Sequence, residues 1–152
     1  STSDAVHITA PDPDANGASE AVRRALIEAE LNPGDIDYIN AHGTATPLND
    51  PMETKAIKRI FKDHADKVPM SATKSMTGHA MGATAAMEAV FTVLSIRDNI
   101  APPTINLDTP APECDLDYVP NKARPAQVDI AMSNGFGLGG HNATLVLGRY
   151  QE

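Results

Sequence analysis

The sequence predicts one layered α/β unit, a mixed sheet with helices packed against it. Apolar residues recur at helical spacing in three stretches, and short alternating or apolar runs lie between them. The chain then closes on two apolar runs separated by glycines, the pattern of a terminal hairpin. With 152 residues and 41% hydrophobic content there is enough chain for one compact core.

The first helix is predicted over Ala18 to Leu31, where Ala18, Ala21, Val22, Ala25, Leu26 and Ala29 share a face between Asn16-Gly17 and Asn32-Pro33-Gly34. Asp35 to Asn40 alternates polar and apolar residues and reads as a strand ending at Ala41-His42-Gly43. A second helix is expected from Asp50, an N-cap followed by Pro51 and Glu53, with Met52, Ala56, Ile57, Ile60 and Phe61 on its apolar face. Val68 to Ala72 reads as a buried strand. A third helix is expected from Gly78 to Arg97, an interior one, because Gly82, Ala83, Ala85 and Ala86 allow close backbone approach. Prolines make the next connection irregular. Strands are then expected near Leu116 to Val119, Val128 to Ser133 and Ala143 to Leu147.

A formal charge of −8 argues against nucleic acid as a partner, since phosphate recognition needs clustered cations. The longest apolar stretch, Gly78 to Ile96, is interrupted by His79 and Glu88, which argues against a membrane span. A single cysteine forms no internal disulfide, and with no targeting segment evident the expected compartment is the cytoplasm. His7, His64 and His141 lack metal-ligand spacing, so no zinc site is expected.

Chemistry-bearing residues fall in three segments. His42-Gly43-Thr44-Ala45-Thr46 follows a strand end, where sites of α/β folds collect, and the Thr44 and Thr46 hydroxyls flank the imidazole. In Ser71 to His79, a histidine in the first turn of a helix would stay neutral in the positive end of the dipole and donate N–H to a carbonyl or enolate. Lys74 is placed to orient that histidine or to pair with Glu88. Third, Asn134 to Asn142 contains Gly135, Gly137 and Gly140 at dinucleotide-motif spacing, but a strand rather than a helix follows. A tight turn with bare N–H groups, suited to an oxyanion hole, fits better. Structural roles remain open for each segment: a strand-end turn, a capping histidine, an ion pair.

Taken in order, His-Gly-Thr-x-Thr, Thr-Lys-Ser-x-Thr-Gly-His-x-x-Gly-Ala and Gly-Phe-Gly-x-Gly-Gly-x-Asn resemble the condensing enzymes of fatty acid synthesis. Pro102 to Leu107 and Cys114 to Pro120 extend the match, which is closest to the second type of β-ketoacyl-acyl carrier protein synthase, with polyketide ketosynthases as near relatives. The resemblance implies a thiolase-like fold, with residues 1–152 as its C-terminal half and a nucleophilic cysteine in an N-terminal half outside this sequence. It implies decarboxylation of malonyl-carrier protein, with His42 and His79 stabilising the enolate, Lys74 supporting the second histidine, and Glu88 interacting with Lys74. Thr44 and Thr46 would hold the phosphopantetheine arm, which the carrier protein brings, so no cofactor of the chain's own is expected. Phe136 and Leu138 fall in the substrate pocket, and the Leu138 N–H would complete the oxyanion hole. Leu138 stands where relatives usually place a gating phenylalanine. Asn40, Glu88, Ser133 and Asn134 match positions that surround a monovalent cation in some relatives.

Cys114 sits among carboxylates in a proline-rich loop and reads as inert, so the 152 residues alone are expected to be inactive. Lys55, Lys58, Arg59 and Lys62 share a helix face that reads as solvated rather than as a carrier-protein contact. The implied partners are an acyl carrier protein, the N-terminal half and a second copy in a homodimer. The alternatives are a polyketide ketosynthase half and a non-catalytic subunit resembling chain-length factors, which the three retained residues His42, Lys74 and His79 disfavour.

Overall fold

The computed structural model describes residues 1–150. Its main sheet has five strands in the order β1-β7-β6-β2-β3. Here β1 is Thr2–Ser3, β2 Tyr38–Asn40, β3 Met70–Ser71, β6 Ile130–Gly137 and β7 His141–Gly148. Strand β2 is parallel to both β3 and β6, whereas β6 and β7 form an antiparallel hairpin. The sheet is therefore mixed, as expected. A small separate ribbon pairs β4 (Ile100–Ala101) with β5 (Arg124–Pro125).

Alternation along the strands sorts the helices into two layers. Ile39 and Met132 face one side and pack with Val22 and Leu26 of α1 (Asn16–Glu28) and Ile57 and Phe61 of α2 (Asn49–Phe61). Their neighbours Tyr38 and Ala131 face the other side, where they meet Ile96 of α4 (Thr84–Asp98). A helix–sheet–helix sandwich results. The short helix α3 (Lys74–Thr77) and α4 follow β3 and supply the second layer.

Several expected boundaries shift for local reasons. Helix α1 starts earlier, at Asn16, because the Asp12 carboxylate accepts the Asn16 N–H at 3.0 Å. The strand expected from Asp35 starts only at Tyr38, since Pro33–Asp35 forms a 3-10 turn in which Asp35 Oδ2 accepts the Asn32 N–H at 2.7 Å. Asp50 is not the cap of α2. That helix starts at Asn49, whose N–H is accepted by Thr46 Oγ1 at 3.2 Å.

The third predicted helix is divided. Gly78, in the left-handed region at φ 73°, ends α3, and α4 begins only at Thr84. The strand expected over Leu116 to Val119 does not form, because Val119 has φ 50° and its N–H turns back to Asp117 Oδ1. The Asp117 carbonyl still accepts the Met70 N–H at 2.9 Å, so the segment flanks β3 as an irregular edge.

Helix α4 has its polarity reversed. Thr84, Glu88, Thr92 and Ser95 are buried against the sheet, whereas Met87, Val90, Val93 and Leu94 are exposed. The Thr92 and Ser95 hydroxyls satisfy themselves by donating to the carbonyls one turn back, Glu88 O at 2.7 Å and Phe91 O at 3.0 Å. Among the described residues, no helix is long and apolar enough to cross a membrane.

Candidate functional site

The parallel strands β2 and β3 end side by side, and the site grows from their carboxyl ends. Ala41-His42-Gly43 leaves β2 in a turn that only glycine permits, since Gly43 has φ 43° and a Cβ there would collide with the Ala72 methyl. The turn is clamped from below by Glu53 of α2, which is 1% exposed. Its Oε1 accepts the His42 N–H at 2.9 Å and an Asn134 amide proton at 3.1 Å. Its Oε2 accepts the Gly43 N–H at 2.9 Å and Asn49 Nδ2 at 3.5 Å. Burial pushes the Glu53 carboxyl up, while the Gly43 and His42 N–H groups and Asn134 pull it back.

Sequence reading missed Glu53 as a site residue. It was visible only as an acidic residue early in a helix, expected to support that helix's own start. A glutamine of the same shape would turn an N–H toward donors whichever way its amide lay. Glu53→Gln is expected to lower stability by about 1–3 kcal/mol, read as a reduced denaturant midpoint at unchanged m-value. An unchanged midpoint would mean that the turn holds without the clamp.

His42 itself is 9% exposed. Its ring lies 5.7 Å from that of His79, edge to face, and 5.7 Å from Phe136 of β6. Burial holds its value down, to about 3, with the charges of Lys74 and His79 adding to the effect. The imidazole is accordingly neutral near pH 7 and able to donate one N–H.

Beyond β3, Lys74 opens α3 and reaches Glu88 of α4 at 2.6 Å, with the two side chains only 4% and 2% exposed. Burial pushes the Glu88 carboxyl up, against the hydrogen bond and charge of Lys74. Thr73 Oγ1 lies 3.4 Å from Glu88 Oε1 and 3.3 Å from Asn40 Oδ1, linking the pair to the end of β2. Lys74 thus takes the ion-pair role left open by the sequence, and its charge bears on His42.

His79 is not in the first turn of a helix, as the sequence suggested, but in the exposed loop between α3 and α4. Its Nδ1 is 3.2 Å from the Met81 N–H and 3.0 Å from Thr84 Oγ1. A backbone N–H only donates, so Nδ1 is the acceptor and the proton resides on Nε2.

The glycine turn spans Leu138 to Gly140 between β6 and β7, as a hairpin rather than a dinucleotide loop. Gly140, at φ 77°, leaves no room for a Cβ beside the Asp4 carbonyl. The Gly139 N–H is bound by the Ile8 carbonyl at 2.8 Å, and Leu138 is 63% exposed at the tip. Thr44 and Thr46, half-buried and exposed, lie 3.2 Å apart through their hydroxyls at the mouth of the His42 turn.

The residues singled out for a cation do not converge as side chains. Asn40 and Ser133 pair across β2 and β6, but Asn134, next along β6, points to the opposite face. There its amide is taken by Glu53 and by Thr144 at 2.9 Å. No buried side-chain oxygen or nitrogen among the described residues is left without a partner, so none is orphaned for an ion. Cys114 is half-buried and its thiol is pushed up by burial, with Asp50 and Glu113 adding to the shift against hydrogen bonds from Thr54 and Tyr118. The cations of α2 have partners within the chain: Lys55 on Asp14 at 3.0 Å, Lys58 on Asp115, and Arg59 on the Asp14 carbonyl at 2.8 Å.

Comparison with known proteins gives a consistent answer. The family described as "Beta-ketoacyl synthase, C-terminal domain" matches residues 1–108. The 3-oxoacyl-[acyl-carrier-protein] synthase 2 of Coxiella burnetii is 57% identical over 146 residues, which are 96% of this chain and 35% of that protein. The synthase of the same name from Synechocystis is 55% identical over 150 residues, 99% of this chain and 36% of its own. Among solved structures, the ishigamide ketosynthase/chain length factor is 42% identical with a TM-score of 0.93, covering 99% of this chain and 36% of that one. A beta-ketoacyl synthase from Burkholderia phymatum is 38% identical with a TM-score of 0.90, covering 98% and 36%. The chain therefore spans about a third of the length of the curated relatives it matches.

Proposed function

The chain belongs to the β-ketoacyl synthase C-terminal domain family, and from that premise we propose that it supplies the decarboxylation machinery of a 3-oxoacyl-acyl carrier protein synthase. The observation that carries this reading is the pair of imidazoles 5.7 Å apart, one kept neutral by burial and the other with Nδ1 committed as an acceptor. Each then has one N–H to offer to an oxygen bound beside the pair.

In this mechanism the phosphopantetheine arm of malonyl-carrier protein enters past Thr44 and Thr46. The thioester oxygen accepts N–H bonds from His42 and His79. As the C–C bond to the malonyl carboxylate breaks, carbon dioxide leaves and the electron pair moves into the thioester, forming an enolate whose negative oxygen the two N–H groups stabilise. The enolate carbon then attacks an acyl thioester on a cysteine, and the Leu138 N–H helps to hold the resulting oxyanion. The cysteine thiolate is expelled and 3-oxoacyl-carrier protein is formed.

We place the nucleophile in the remaining two-thirds of the length that the relatives possess, because the Cys114 thiol is disfavoured as a thiolate by burial. The exposed apolar residues of α4 support the same division, for they require a covering layer. The test is condensation of acyl- and malonyl-carrier protein by preparations of known intact mass. Activity is expected when residues of the N-terminal portion accompany this chain. Turnover by the 152 residues alone would overturn the assignment of the nucleophile.

A further inference from the structure

Resting on the two-histidine reading above, we propose that Thr84 is a positioning residue for His79, its hydroxyl donating to Nδ1 and tying the imidazole to helix α4. The Met81 N–H also reaches Nδ1, at 3.2 Å, but it lies two residues away in the same loop. That bond favours one tautomer but does not by itself hold it fully or fix the ring relative to the rest of the fold. The loop is exposed and carries left-handed conformations at Gly78 (φ 73°) and Met81 (φ 50°), so its own packing offers the ring little restraint.

Thr84 differs from Met81 in what stands behind it. It is the first residue of α4 and is 4% exposed, while the ring it touches is exposed. One helical turn on and on the same face is Glu88, held by Lys74 at 2.6 Å. Thr92, a further turn on, continues that buried face. The hydroxyl at 3.0 Å from Nδ1 is therefore carried by a helix start whose rotation is set by a buried ion pair. Because the Met81 N–H makes Nδ1 an acceptor, the Thr84 hydroxyl is the donor. Both bonds leave the proton on Nε2, and only the second bond aims it.

Thr84→Val keeps the shape and removes the donor, Thr84→Ser restores it, and Thr84→Ala guards against a misfit of the valine. All three are made in the intact synthase, with histidine selectively labelled with nitrogen-15 so that the His79 tautomer is read by NMR. Valine and alanine are expected to raise the minor tautomer of His79 and to lower kcat for malonyl-carrier protein decarboxylation about 3- to 10-fold, with KM within about 2-fold of the parent. Serine is expected to return both to the parent values. Unaltered tautomer signals and kcat in the valine and alanine variants would overturn the proposal. A tautomer change without a change in kcat would uphold the Thr84 bond and overturn the enolate role of His79 instead.

Discussion

His42→Ala or His79→Ala, made in the intact synthase, is expected to lower carbon dioxide release from malonyl-carrier protein by about 100- to 1,000-fold, the usual effect of removing one donor from a preorganised oxyanion site. The two rings lie edge to face at 5.7 Å, close enough for their N–H groups to address one oxygen. Removing either leaves the oxygen held from one side only, and most of the stabilisation is lost at the moment the enolate forms. The double variant is expected to lose little more than either single one, because the donors act as a unit. Transfer of the acyl group to the cysteine should survive in each variant and serves as the control for folding. Because burial holds the His42 value down to about 3, the ring is still neutral at pH 5, and lowering the pH from 7 to 5 should not switch off its share of the decarboxylation rate. Decarboxylation at the parent rate in either single variant would remove the histidines from the mechanism.

Lys74→Met is expected to cost about 3–5 kcal/mol of stability, because it strands the Glu88 carboxylate in a place 2% exposed. Thr73 at 3.4 Å cannot replace a full charge at 2.6 Å. Removing both members, as Lys74→Met with Glu88→Met, should recover most of the loss, since desolvating a pair gives back much of what the pair contributes. Denaturant midpoints of the two single variants and the double variant decide the matter. If Lys74→Met alone is as stable as the parent, the pair does not hold α3 to α4. His42 should remain neutral in this variant, because burial, not Lys74, is the larger cause of its shift.

Much of the site was legible because its chemistry is local in sequence. His42 and His79 each belong to a short motif at a strand end, and their meeting in space follows from β2 and β3 being parallel neighbours. The Lys74–Glu88 pair was legible as one of two options. Glu53 was not, because its clamp joins a strand end to the first turns of the following helix across a connection whose path no spacing reveals. The start of α4 was misplaced because Gly78 and Gly82 interrupt an otherwise continuous apolar run, and only the backbone shows that the first of them ends a helix. The cation group was not separable from sequence, where the strand was expected to end at Ser133; β6 continues to Gly137, so Asn134 faces away from Ser133.

The reversed polarity of α4 also bears on any attempt to use this unit as a portable module. Its water-side residues Met87, Val90, Val93 and Leu94 are what an engineer would repaint with charge to keep the piece soluble. The inner side of the same helix carries Thr84 and Glu88, one touching His79 and the other Lys74. Solubility and chemistry are thus written on opposite sides of one rod. Repainting the outside would leave the histidine loop anchored, yet it would erase the one apolar face this helix offers to another layer.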